Sequence, residues 1–113
     1  MKKILILVIL VLVEFAAKAA FLTGTEDIPL MDGVVLVPAE DFDFDSPAGQ
    51  ILILKAKTKL SREAVGSFYD KTLRAMGWKK VRVGIYTRGG DEFKLSFPAA
   101  ERVQFDITLT GAE

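Results

Sequence analysis

The stretch SREAVGSFYDKTLRAMGW, residues 61–78, predicts the helix on which the fold depends. Ser61 is a favourable N-cap, and Glu63 lies in the first turn, where the helix dipole stabilises a carboxylate. The residues of the predicted buried stripe recur at helical spacing: Val65, Phe68, Tyr69, Thr72, Leu73 and Met76. Gly77 should end the helix in the left-handed conformation, with Trp78 folding back on the last turn.

Two other features of this helix need an interpretation. Asp70 and Arg74 are four residues apart, which predicts an ion pair on the outer side of the helix. Gly66 should cost about 1 kcal/mol relative to alanine in a helix interior. We interpret Gly66 as a residue that allows the helix to approach a strand closely.

Three segments after the helix alternate apolar and polar residues, which is typical of strands with one buried face. These are KKVRVGIYTR (79–88), EFKLSF (92–97) and RVQFDITLT (102–110). A three-residue loop, 89–91, sets the first register. The predicted core pairs are Ile85–Leu95, Val83–Phe97, Leu95–Phe105 and Phe93–Ile107. The predicted outer pairs are Arg88–Glu92 and Lys94–Asp106.

Before the helix, DFDFD (41–45) and QILILKAKT (50–58) flank SPAG, which predicts a hairpin with the three-residue loop Pro47, Ala48 and Gly49. The predicted pairs are Ser46–Gln50, Phe44–Leu52 and Phe42–Leu54. In that register both phenylalanines face the helix. The aspartates lie on the outer face with Ile51, Ile53 and Lys55.

The three alternating aspartates, Asp41, Asp43 and Asp45, raise the alternative of a cation site. An EF-hand loop beginning at Asp41 would need glycine at position 6 and glutamate at position 12, where this chain has Ser46 and Leu52. Alternate side chains of a strand are also about 6.6 Å apart, too far for all three to bind one ion. We predict an acidic strand face and no metal site, with weak cation binding as the alternative.

Together these patterns predict an α+β fold. One antiparallel-rich sheet, made of a β-hairpin and a three-stranded meander, carries a single helix on one face. The expected organisation is a signal helix over residues 1–19, a lead-in over 20–33 and one domain over 34–113. Residues 34–37 form either a short strand or an apolar clip over the core. The order of the strands stays open.

The N-terminus is typical of a secretory signal peptide. MKK is basic, residues 4–13 are ten apolar residues, and Ala17 and Ala19 form an A-x-A-like cleavage site. Ten residues make a helix of about 15 Å, half of a hydrocarbon core of about 30 Å. We expect a periplasmic or secreted protein that meets the membrane only through this segment. An uncleaved membrane anchor is the alternative, although it would carry Glu14 and Lys18.

The composition excludes several functional classes. The chain has 15 basic and 15 acidic residues, so bulk charge does not favour binding to nucleic acid. It contains no histidine and no cysteine, which excludes a catalytic triad, a thiolate nucleophile and a histidine-ligated metal. We therefore predict no catalytic residues and no cofactor. A glycosidase built on two carboxylates is the residual enzymatic alternative.

The helix end matches the pattern Phe-Tyr-x3-Leu-x3-Gly-Trp, carried here by Phe68, Tyr69, Leu73, Gly77 and Trp78. This pattern, with DSPAGQI and DIPLMDG upstream, resembles small exported alphaproteobacterial envelope proteins over about residues 27–110. Many of these are lipoproteins, and this chain departs from them because it lacks the lipid-attachment cysteine. A more distant likeness is to helix-on-sheet domains of outer-membrane assembly lipoproteins. The resemblance implies an exported envelope domain and transfers no catalytic residue.

The outer sheet face is the predicted interaction surface, because it mixes basic and apolar residues. Its members are Lys55, Lys57, Lys59, Lys80, Arg82, Tyr86, Arg88, Lys94, Ile51 and Ile53. An envelope protein or an anionic envelope component would fit it, on a monomer or weak dimer. The competing interpretation is a solvated face whose lysines protect a sheet edge. A membrane-anchored structural protein is the alternative function.

Overall fold

The computed structural model describes residues 21–110 apart from residues 26 and 48. The predicted signal segment, residues 1–19, lies outside the described residues. Within the described part of the chain, no helix is long and apolar enough to cross a membrane.

The chain divides into two compact units, Met1–Leu30 and Met31–Glu113. In the first, the described residues form a turn in which the Leu22 amide donates a hydrogen bond to the Ile28 carbonyl at 2.9 Å. The second contains all the strands and the helix described below.

One antiparallel sheet with a single helix on one face makes up the second unit, so the predicted fold class is confirmed. The elements that the structure describes are β1 (Val34–Leu36), a 3-10 helix (Pro38–Glu40), β2 (Phe42–Ser46), β3 (Gly49–Thr58), α1 (Arg62–Ala75), β4 (Lys79–Arg82), β5 (Ile85–Arg88), β6 (Asp91–Ser96) and β7 (Arg102–Leu109).

The strand order is β1-β3-β7-β6-β5-β4, and β2 also pairs with β3. Strand β7 runs beside β3 from Gln50 to Lys57. The other edge of β3 is therefore shared, with β2 beside its first half and β1 beside its last three residues. Strand β4 forms the opposite edge of the sheet, next to the helix that precedes it in the chain.

Both ends of α1 have the predicted caps. The Ser61 side chain accepts a hydrogen bond from the Ala64 amide at 3.0 Å. At the other end Gly77 has φ +92°, and the Trp78 amide donates to the Leu73 carbonyl at 2.9 Å. This is the Schellman arrangement, in which backbone amides beyond the helix satisfy its last carbonyl groups.

The core lies between α1 and the sheet, and Tyr69 is at its centre. Its ring centroid is 5.8 Å from that of Phe93 and 5.3 Å from that of Phe105, and all three side chains are fully buried. The Tyr69 hydroxyl accepts a hydrogen bond from the Met31 amide at 3.1 Å. Burial raises the pKa of Tyr69 to about 12, although that hydrogen bond acts in the opposite direction. The phenol is therefore neutral at physiological pH.

The β2–β3 hairpin corrects the predicted register by one residue. Ser46 pairs with Gly49 and Phe44 with Ile51, so two residues, not three, separate the strands. Because side chains alternate between faces, this shift moves every residue of β2 to the opposite face. The prediction that Phe42 and Phe44 face the helix is therefore wrong: they are 57% and 46% exposed on the outer face.

The β5–β6 hairpin differs from prediction in the same way. Arg88 pairs with Asp91, which leaves only Gly89 and Gly90 in the loop, with φ +56° and +95°. Two positive φ angles are the requirement of a type I′ turn, whose twist matches that of the strands. The predicted pairs Ile85–Leu95, Val83–Phe97 and Arg88–Glu92 are wrong as a result. Tyr86, rather than Ile85, faces the core, opposite Phe93.

Residues 79–88 were predicted as one strand, but they form the β4–β5 hairpin. Its turn contains Val83 and Gly84, and Gly84 has φ +81°. The register shifts between Lys80 and Arg82, a β-bulge that leaves Val81 without a paired residue. A glycine inside a strand pattern is a signal for such a break in the strand.

The β6–β7 hairpin confirms its predicted register. Leu95 pairs with Phe105, Phe93 with Ile107 and Lys94 with Asp106. Here the apolar alternation of both strands was unbroken, so burial of one face was sufficient to select the register.

Candidate functional site

Six of the ten predicted interaction residues share the sheet face opposite α1: Ile51, Ile53, Lys55, Lys57, Arg82 and Lys94. One row of opposed residues shows this arrangement, running from Arg82 through Ile85, Lys94 and Asp106 to Ile53. Opposed residues in a sheet point to the same face. Lys59 is exposed but follows the end of β3, so it belongs to no strand.

The shared face predicted for Lys80, Tyr86 and Arg88 is wrong, because the two-residue turns place these residues on the helix side. The Tyr86 hydroxyl donates to Asp70 at 2.7 Å, and the Lys80 ammonium is 3.3 Å from the same carboxylate oxygen. The Arg88 guanidinium lies 4.5 Å from the Trp78 ring centroid.

The outer face instead gains two aromatic side chains. Phe42 pairs with Ile53 and Phe44 with Ile51, and we call these four residues the outer apolar patch. The Lys55 ammonium lies 5.9 Å from the Phe42 ring centroid. The isoleucines are only partly exposed, since the phenylalanines flank them.

The alternating aspartates do not converge. Asp41 precedes β2 and accepts a weak hydrogen bond from the Lys55 amide at 3.4 Å, whereas Asp43 accepts one from the Gln50 side chain at 2.8 Å. Among the described residues, no three carboxylates are grouped to hold a metal ion.

A cleft on the helix side of the sheet is the strongest candidate site. It has a volume of about 510 Å³ and lies between α1 and the β4–β5 hairpin, with β6 beneath. We call it the α1–β4 cleft. Its lining residues are Arg62, Glu63, Gly66, Ser67, Asp70, Lys80, Val83, Gly84, Tyr86, Leu95 and Phe97. Mostly apolar clefts of about 300–1,000 Å³ with a few polar groups are typical of ligand sites.

Gly66 lines this cleft, and its position corrects the earlier interpretation. A Cβ atom built on Gly66 would meet no atom within 4 Å beyond its own helix, so no strand approaches it closely. The missing side chain therefore leaves open space at the wall of the cleft. A longer side chain at this position would project into that space.

Asp70 is the centre of the polar side of the cleft. The predicted ion pair with Arg74 is present at 3.4 Å, but Asp70 also faces the sheet, where it binds Tyr86 and Lys80. The hydrogen bond from Tyr86 lowers the pKa of Asp70, with further lowering by Lys80 and Arg74 and opposition from desolvation. Burial and the Asp70 carboxylate raise the pKa of Tyr86. The pair is thus a carboxylate and a neutral phenol at physiological pH.

The charged residues that line the cleft are balanced, with Arg62 and Lys80 against Glu63 and Asp70. Arg74, just outside the lining, shares Asp70 with Lys80, so these five side chains leave one positive charge in excess. The Arg62 guanidinium lies 5.7 Å from the Phe97 ring centroid and has no carboxylate partner among the described residues. Arg62 therefore offers a guanidinium to an anionic group beside the apolar lining.

Sequence reasoning missed the cleft, although two of its residues carried a signal. Gly66 is unfavourable in a helix interior, and Gly84 interrupts an alternating strand pattern. Both glycines line the cleft. The sequence did not connect these glycines with a cleft, because the connection depends on the β4–β5 turn, which brings Val83 opposite the first half of α1.

No family model, curated protein sequence or solved structure matches this chain. The resemblance to exported envelope proteins therefore remains an expectation.

Proposed function

We propose that this protein is an exported, non-enzymatic binding module of the cell envelope that holds its ligand in the α1–β4 cleft. The observation that carries the proposal is the open cleft of about 510 Å³ beside Gly66, a helix glycine with no packing contact to require it. Val83 supports it, because this valine at the mouth of the cleft is 89% exposed. Contact with a ligand would remove that apolar surface from water.

The chemistry of the cleft favours binding over catalysis. Of its two carboxylates, Asp70 is held by three hydrogen-bonding or ionic partners, and the phenol of Tyr86 has a raised pKa. A general base needs a pKa near the working pH, and neither group meets that condition. The absence of histidine and cysteine from the chain points the same way.

The outer face remains a second binding surface in this proposal, because the outer apolar patch exposes Phe42 and Phe44 beside Lys55. It would take an envelope protein, with the domain itself a monomer or weak dimer. The two surfaces lie on opposite faces of the sheet, so variants can separate them.

The proposal predicts a thermal shift that depends on the cleft. The full chain, purified in the form in which it accumulates, is mixed with envelope extract and its melting temperature is measured, since a ligand that binds the folded state raises it. Gly66→Leu should fill the cleft and remove the shift. Ala75→Leu adds the same side chain at an exposed position of α1 and should keep it.

A shift that survives in Gly66→Leu would refute the cleft as the site. The double variant Lys55→Glu/Lys57→Glu tests the outer face in the same assay. If only that variant loses the shift, the outer face is the binding surface and the cleft is not.

The first residue of the native protein distinguishes an exported, cleaved domain from a membrane-anchored protein. Cleavage of the signal would leave a chain whose mass matches a start near Ala20, at the end of the A-x-A-like sequence. Intact-mass spectrometry of protein from the envelope fraction measures this directly. A chain that retains residues 1–19 there would support a membrane-anchored structural protein instead.

A further inference from the structure

We propose that the ligand of the α1–β4 cleft is a single-chain amphipathic anion, with an apolar chain in the cleft and its anionic group at Arg62 on the rim. This inference rests on the proposed function and deepens it. Three features carry it: the apolar lining, the space beside Gly66 and the Arg62 guanidinium, which stacks on Phe97 at the rim.

The apolar part of the ligand would contact the interior of the cleft. Leu95 is nearly buried beneath it, Phe97 is half-buried, and Val83 is almost fully exposed at its mouth. A Cβ atom built on Gly66 would meet no atom within 4 Å beyond its own helix. An extended apolar chain could therefore lie along this wall without a steric clash. An unbranched chain fits such a surface better than a polar or bulky group, because it buries apolar area without needing hydrogen bonds.

The anionic part would be attracted by the rim. Asp70 is already occupied by Tyr86, Lys80 and Arg74, so its charge is more than neutralised within the protein. Arg62 has no carboxylate partner among the described residues, and its stacking on Phe97 holds the guanidinium beside the apolar lining. A charged head next to an apolar chain matches that arrangement.

Two other occupants of this region are disfavoured by the structure. A peptide strand added to the β4 edge would meet the bulge at Val81, which interrupts the regular spacing of backbone groups. A second copy pairing β4 with β4 would oppose basic residues only, because the polar side chains of β4 are Lys79, Lys80 and Arg82.

The test compares amphiphiles of equal chain length and opposite charge. Sodium dodecanoate, dodecyltrimethylammonium and sodium acetate are titrated by calorimetry into the full chain, each below its micelle concentration. Dodecanoate should bind about fivefold or more tightly than the cation, a difference in keeping with exposed ion pairs. Acetate alone should not bind measurably, because it lacks the chain.

Variants of neighbouring residues locate the site. Gly66→Leu should weaken dodecanoate binding by about tenfold or more, while Ala75→Leu leaves it unchanged. Arg62→Gln should weaken it and Glu63→Gln should strengthen it, each by about twofold to fivefold, because the two side chains at the rim carry opposite charges. Thermal unfolding confirms that each variant is folded.

Equal affinity for both amphiphiles would overturn the inference, as would dodecanoate binding that Gly66→Leu does not reduce. Amide shifts in NMR that follow the β4 backbone and spare Gly66 and Leu95 would show a strand-like occupant and would also overturn it. A cleft-dependent shift with envelope extract, combined with no dodecanoate binding, would refute this ligand class and leave the proposed function standing.

Discussion

Gly66 shows how a single residue can be costly to the fold and useful to a site. In the middle of a 14-residue helix it lowers helix stability, because the glycine backbone loses more conformational freedom on folding. Its φ angle is not positive, and no neighbouring strand excludes a side chain. The space it leaves belongs to the α1–β4 cleft, which is the physical reason we connect it with binding.

Gly66→Ala should therefore stabilise the protein. The expected gain is about 0.5–1 kcal/mol in the free energy of unfolding, since alanine has the higher helix propensity and its Cβ meets no atom. Chemical denaturation by urea measures this change. Gly77→Ala is the matched control and should lower stability, because Gly77 has φ +92°. A destabilised Gly66→Ala variant would mean that the position is already packed.

At the scale of the elements, loop length decided which side chains are buried. In both mispredicted hairpins a loop of two residues replaced an expected loop of three, and each strand turned its alternate residues to the other face. The consequence for β2 is the outer apolar patch. The consequence for β5 is that Tyr86 reaches Asp70 on α1.

The register of β2 is testable by a matched pair of truncations. Phe44→Ala should lower the free energy of unfolding by about 1 kcal/mol or less, because Phe44 is 46% exposed. Phe105→Ala, at a fully buried position, should cost about 3–5 kcal/mol or prevent folding. Thermal or urea unfolding compares them. Similar losses for both variants would restore the predicted register, in which Phe44 packs against the helix.

At the scale of the whole domain, a polar network joins α1 to the far edge of the sheet. Asp70 on the helix accepts from Tyr86 on β5 and pairs with Lys80 on β4. The network lies beside the cleft and defines the relative position of its two walls. It should also make stability depend on pH.

Because the folded state lowers the pKa of Asp70, the carboxylate contributes stability above its unfolded pKa of about 4, and this contribution is lost as pH falls through the lower folded value. Asp70→Asn should therefore be less stable than the natural protein at neutral pH, and the difference should shrink below about pH 4. Urea unfolding across this range measures it. In a Tyr86→Phe background, the stability difference caused by Asp70→Asn should depend less on pH. An undiminished pH dependence would exclude Tyr86 as the main cause of the lowered pKa of Asp70.

The site was only partly predictable. The basic and apolar character of the outer face was expected, and Ile51, Ile53, Lys55, Lys57, Arg82 and Lys94 do share it. The cleft was not expected, because its walls come from the start of α1 and a turn about 20 residues later in the chain. No local pattern records that these segments face each other.

The sequence by itself determined the helix, its two caps, the β6–β7 register and the fold class, since each follows from local periodicity or capping chemistry. Tertiary structure decided the face of β2 and β5 and the strand order. An alternating strand has two faces, and in β2 and β5 the choice between them depended on loop lengths that sequence left ambiguous. In β5 this choice buried Tyr86 instead of Ile85 and brought its hydroxyl to Asp70 on the helix.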